Sequence, residues 1–303
     1  MSVSRNWGIG LYLITWAASV AYLYAAGAEW MLAAFLLGIF GLILSPIAVW
    51  LTRNTAAPEL TVRMPARESL ALLTYLAIYG LLFFGPLYGW FKGAIPDGPV
   101  EELSVLAFKL VVHVGLPSIV IYALRGSIAD LWRGHFDRKG VLAATILFSL
   151  LLVGLNAVIS PSLKNLDAAG LSPMGKVGWF FLSWVWMSIV AGLCEEYLFR
   201  ALLQTRLTAW SGSATFAIAV TAIMFGLAHA PGLYLRGDAE TFGHSKDALQ
   251  VIAYSIAVLS PTGIFFGTLW HRTKSLAAGS IIHGAVDALP FASSLAALFV
   301  ATG

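Results

Sequence analysis

Charge is what this sequence has least of. Asp, Glu, Lys and Arg make up 11% of its 303 residues, against roughly 25% in soluble domains. Hydrophobic residues reach 59%, and the mean hydropathy is +0.83. No long polar stretch interrupts the apolar runs, which excludes a separate soluble domain. The net charge of +3 is not a nucleic-acid signal, because the basic residues lie in short loops between apolar runs, where spanning proteins carry them. Cysteine is reduced to Cys194, so an intrachain disulfide is excluded. Internal repeats, low-complexity tracts and a His-Glu-x-x-His helix are absent as well. The N-terminal apolar run lacks a convincing small-residue cleavage site and reads as a retained first span rather than a signal peptide.

What is there is a series of runs long enough to cross a bilayer, which takes about 20 apolar residues. They cover 8–26, 30–51, 70–91, 103–124, 140–159, 176–208, 213–230, 248–271 and 275–300. The expected fold is therefore all-α, a polytopic transmembrane helix bundle of eight or nine spans in contact with the lipid bilayer. Breaks are expected at Pro58 and Pro65, Pro96 and Pro99, Pro161 and Pro173, Pro231, and the turn "HRTKS". The segment 125–139 reads as a short amphipathic helix lying in the interface. With the N-terminus in the cytoplasm, Arg5, Arg53, Arg63, Arg67, Arg125, Arg133, Arg138, Lys139, Arg206, Arg272 and Lys274 fall inside, and Lys92, Lys164, Lys176, Arg236 and Lys246 outside. That bias favours an N-terminus-in, multi-pass protein.

Against this background, ionisable groups inside spans demand a reason, since each costs about 2.5–3.5 kcal/mol on insertion scales. In "GLCEEYLFRALLQ", Glu196 and Arg200 are four apart and share a helix face, glutamate first, the better order for such a pair. Glu195 points about 100° away and is expected to lack a local partner. An unpaired carboxylate in a low dielectric can serve as a base near neutral pH. Spacing alone equally allows a buried ion network that binds helices together. In "FGLAHAPG", His229 follows Phe225 by one turn; a lone histidine there is more often a hydrogen-bonded residue than a catalyst. In "SLAAGSIIHGAVDAL", His283 and Asp287 share a face flanked by small residues that let helices approach closely, and they read either as a polar clamp or as groups facing a cavity. Lys109 and His113 are also four apart, but Lys109 lies toward a span end and is expected to snorkel to the interface. Glu101 and Glu102 have no arginine at the matching offset and lie at a loop boundary, where charge is inexpensive. Counted from the turn at 209–212, Glu195 and His229 lie at similar depth, roughly 20–25 Å, whereas His283 is expected to be shallower, at about 14 Å.

The ordered set Glu-Glu-x-x-x-Arg, Phe-x-x-x-His and His-x-x-x-Asp on late apolar helices resembles the CPBP family. These are the CAAX-protease and bacteriocin-processing intramembrane glutamic proteases, related to the Ras-converting enzyme. The resemblance covers roughly 176–300 and includes "GIFFGTLWHRTKSLAAGSIIH". It implies an endopeptidase core over 141–303, with 1–140 supplying N-terminal transmembrane helices of unassigned role. It implies further that Glu195 activates a water held with His229, that Glu196, Arg200 and Phe225 support the site, and that His283 and Asp287 stabilise the oxyanion. The family often has Asn at the last position; aspartate repels an oxyanion where asparagine donates to it. So Asp287 is either protonated or orients His283. No metal and no other cofactor is implied, and the implied partner is a membrane-associated peptide or protein tail. Other readings are a non-proteolytic immunity, scaffold or sorting protein of the same fold, a zinc-dependent protease using Glu195, His229 and His283, and a cysteine protease using Cys194. A transporter is also conceivable, though without the repeat symmetry many transporters show. The loop 231–247 is the longest polar insertion near the site and a candidate for substrate choice.

Overall fold

The computed structural model describes residues 5–132, 138–238 and 241–300. Among them there is no strand, and nine helices are long and apolar enough to cross a membrane. They are α1 (Trp7–Ala25), α2 (Met31–Leu51), α3 (Pro65–Phe83), α4 (Pro99–Ala123), α5 (Lys139–Ile159), α6 (Pro173–Ser211), α7 (Ala214–Arg236), α8 (Ala248–Thr273) and α9 (Leu276–Phe299). Prolines open α3, α4 and α6, where the missing N–H has no helical acceptor to lose. Ser213 caps α7 by accepting from the Phe216 N–H, and Lys274, at φ 50°, closes α8.

Several boundaries differ from the sequence reading. Pro231 does not end α7, which continues to Arg236; packed spanning helices tolerate an internal proline. The polar insertion therefore begins at Gly237, and its residues 239–240 lie outside the described set. Beyond Phe83 the chain kinks at Gly85 (φ −90°, ψ −108°) before a helical turn over Tyr88–Gly93. The interfacial helix expected over 125–139 is not formed in its described part. Arg125 adopts φ 57°, and only a 3-10 turn follows at Ala129–Trp132; residues 133–137 lie outside the described set. This segment is fixed by specific contacts instead. Arg206 donates to the Ser127 carbonyl at 2.6 Å and to the fully buried Glu68 at 3.1 Å, and Trp132 stacks on Tyr197.

At 39 residues α6 is about 58 Å long, nearly twice the hydrocarbon thickness. It packs against α9 along its first half and against α3, α4, α7 and α8 along its second. The helix α8 has 67% of its spanning window buried and forms the centre of the bundle, between α2 and α7. Glycines set the close crossings. A Cβ on Gly192 of α6 would stand 2.3 Å from the Ser280 carbonyl oxygen of α9, and one on Gly284 of α9 would stand 2.2 Å from Ser188 Oγ of α6. This reciprocal contact brings two glutamates of α6 level with a histidine of α9. Gly192→Ala should force the two backbones apart and destabilise the protein by about 1–3 kcal/mol. Gly178→Ala, on the same helix with open space around it, should melt like the parent in detergent. Equal melting of the two variants would show that the crossing is not set by Gly192.

Candidate active site

Glu195 and Glu196 lie where two π-helical stretches of α6 meet, Ser188–Leu193 and Glu196–Gln204. Such widened turns re-aim side chains and are frequent at functional sites. The two carboxylates diverge as the sequence suggests. Glu196 is 2% exposed; its Oε2 lies 3.4 Å from Arg200 Nε, and its Oε1 accepts from His283 Nδ1 at 2.9 Å. Arg200 is 1% exposed, and its guanidinium nitrogens meet no hydrogen-bond acceptor among the described residues. The Glu196 ion pair and ring faces hold it, with the guanidinium carbon 4.3 Å from the centre of Phe225 and 5.8 Å from that of Phe266.

Glu195 does not lack partners, contrary to the expectation above. Its Oε1 faces Lys109 Nζ at 3.5 Å, and its Oε2 faces His283 Nε2 at 3.7 Å and His229 Nε2 at 4.0 Å. Lys109 does not snorkel; it lies in the body of α4 with its side chain 12% exposed and points at the site. The sequence singles out Lys109 by its spacing to His113, but α4 alone does not show that it meets Glu195. His283 is not shallower than the others, since the close crossing of α6 and α9 brings it beside both glutamates.

The remaining contacts set tautomers. His229 Nδ1 lies 2.8 Å from the Phe225 carbonyl, which only accepts, so that nitrogen carries the proton and Nε2 faces Glu195. His283 stacks on Phe266 at 4.9 Å, and Glu196 takes its Nδ1–H, again aiming Nε2 at Glu195. Asp287 Oδ2 lies 3.9 Å from the same Nε2, with its side chain 35% exposed. Thus Glu195, His229, His283 and Asp287 converge on a space open on the His229 and Asp287 side. Phe225 sits beneath, edge-on to His229 at 4.9 Å. Cys194 is fully buried, and Glu101 pairs with Lys92 at 3.0 Å away from this cluster.

The donor set fits a metal poorly. The ammonium of Lys109 already sits against the carboxylate that a dication would need. Among the described residues no group of three or more His, Cys, Asp or Glu is disposed to hold a metal ion.

Residues 177–289 match the family of Type II CAAX prenyl endopeptidase Rce1-like proteins. The matched segment begins in α6 and ends within α9, so it holds Glu195, Glu196, Arg200, Phe225, His229, His283 and Asp287 but not Lys109. No curated protein and no solved structure matches the chain. Together with nine apolar helices, the match marks an integral, multi-pass membrane protein and supports intramembrane endopeptidase activity in general.

Proposed function

We propose that the protein is an intramembrane endopeptidase that cleaves a membrane-associated peptide with a glutamate-activated water. One observation carries this reading. Glu195 Oε2 faces the Nε2 atoms of His229 and His283 at 4.0 and 3.7 Å. These gaps are too long for direct hydrogen bonds and suit a bridging water, whose two protons satisfy acceptors on different sides. Glu195 Oε2 takes one proton as the water oxygen bonds to the scissile carbonyl carbon. That proton passes to the departing amine as the C–N bond breaks. His229 keeps the water in place. His283 enters the step as an imidazolium among the carboxylates of Glu195, Glu196 and Asp287, donates its Nε2–H to the oxyanion and keeps that proton throughout, and Glu196 and Arg200 hold its ring. Asp287 orients the His283 Nε2–H rather than facing the oxyanion itself.

An apolar groove of about 470 Å³ lies beside the site, and the neighbours of His229 in sequence, Ala228 and Ala230, help to line it along with Leu76, Gly80 and Pro231. Its lining suits an apolar anchor on the substrate, in keeping with the prenyl group named in the family description. Comparing the termini of membrane proteins from cells with and without the gene tests the reading. At least one protein should lose a terminal fragment only when the gene is present, and purified protein should make the same cut after prolonged chelation. Identical termini would overturn the proposal. Loss of the cut on chelation, restored by one divalent metal, would favour zinc chemistry at Glu195, His229 and His283.

A further inference from the structure

Lys109 lies outside the family match, yet its position is built with care. The helix carrying it is braced by two buried polar side chains. His113 Nδ1 donates to the Lys109 carbonyl at 3.0 Å, and the Tyr79 hydroxyl donates to His113 Nε2 at 2.8 Å. His113 is fully buried and Tyr79 3% exposed. A π-helical stretch, Val111–Gly115, begins two residues on. The brace fixes the backbone from which Lys109 reaches Glu195.

The division of labour at Glu195 is then informative. A carboxylate has two equivalent oxygens, and rotation about its last bond exchanges them. Here the cation pairs with Oε1 at 3.5 Å, while both imidazoles are set against Oε2. A fixed cation on one oxygen leaves the other, with free lone pairs, on the side where water is to be deprotonated. A diffuse counter-ion would neutralise the glutamate without choosing between them.

We propose that Lys109 is a positioning residue of this site, clamping Glu195 Oε1 so that Oε2 is presented to the water between His229 and His283. It acts through Glu195 and touches no substrate. The inference rests on the proteolytic reading above, and its test has two arms.

The first arm needs no substrate. Thermal unfolding in detergent is followed for the parent, Lys109→Met, Glu195→Gln and the double variant. Lys109→Met strands a carboxylate, so the double variant should melt at least about 3 °C above it. Additive shifts would show that the pair does not interact and would overturn the proposal. The second arm measures cleavage of an internally quenched farnesylated peptide ending in a CAAX sequence. Lys109→Met should lower kcat by about 100-fold, the scale of a small misplacement of a reacting group, with KM within twofold. Lys109→Arg, which keeps the cation, should recover at least about a tenth of parental kcat. A loss confined to KM, or equal turnover by the Arg and Met variants, would overturn the positioning role. If the parent cleaves nothing here and processes no membrane protein in cells, the proteolytic reading falls and positioning with it. Coupled melting would in that case still establish the ion pair.

Discussion

Glu195→Gln should abolish cleavage, lowering turnover by about 1,000-fold or more, within the range that a general base contributes. Glutamine keeps the shape and can still hydrogen-bond to water, but it cannot accept the proton that makes water a nucleophile. The substitution also leaves Lys109 without its counter-ion at 3.5 Å, so some loss of stability is expected alongside. The double variant Lys109→Met with Glu195→Gln removes both charges and should unfold near the parental temperature while remaining inactive. That combination separates lost chemistry from lost folding. It is measured by turnover of the membrane protein found through the comparison of termini, with melting in detergent on the same preparations. Substantial turnover in a folded Glu195→Gln protein would end the glutamic mechanism and turn attention to the remaining polar groups of the cavity.

The bundle was largely legible in the sequence because membrane spans are set by length and hydropathy alone. Seven of the nine spans fall within about four residues of their expected ends; the third is shifted at both ends, stopping at Phe83 before the Gly85 kink, and the seventh runs six residues longer. Pro231 lies inside α7, and Pro65 opens α3 five residues before the expected start. Helical spacing also gave the Glu196–Arg200 pair, since residues four apart on one helix meet whatever surrounds them. What it could not give was distance across helices. Glu195 looked unpaired because its partners come from α4, α7 and α9, more than thirty residues away in each case. Lys109 looked like a snorkelling residue because nothing in α4 alone says which face meets α6. The close crossing that brings His283 level with Glu195 depends on Gly192 meeting Ser280 and Gly284 meeting Ser188, a register that neither helix encodes alone. The Arg206 contacts to Glu68 and Ser127 were hidden for the same reason, and they leave the stretch after Arg125 anchored as a turn where an amphipathic helix was expected.

Arg200→Ala should cost about 3–5 kcal/mol, because removing one member of a buried ion pair strands the other. The stranded group is Glu196, 2% exposed, whose remaining contact is the Nδ1–H of His283 at 2.9 Å. A loss of activity follows along that line. The carboxylate no longer balanced by Arg200 interacts more strongly with His283 and alters the ring that faces the reaction space. Arg200 itself has no hydrogen-bond acceptor among the described residues and lies against the rings of Phe225 and Phe266. Its hold on the structure is therefore electrostatic and aromatic, and a neutral side chain of similar length can occupy the same space. The double variant Glu196→Gln with Arg200→Met removes both charges and should recover much of the lost stability. Glutamine can still accept from the His283 Nδ1–H through its amide oxygen. Activity should then recover in part as well, which a purely structural role for the pair would not require. Melting in detergent and turnover, measured on the parent, both single variants and the double, decide the matter. If Arg200→Ala melts like the parent, the ion pair contributes nothing to stability, and Arg200 must be reassigned to the cavity side of α6.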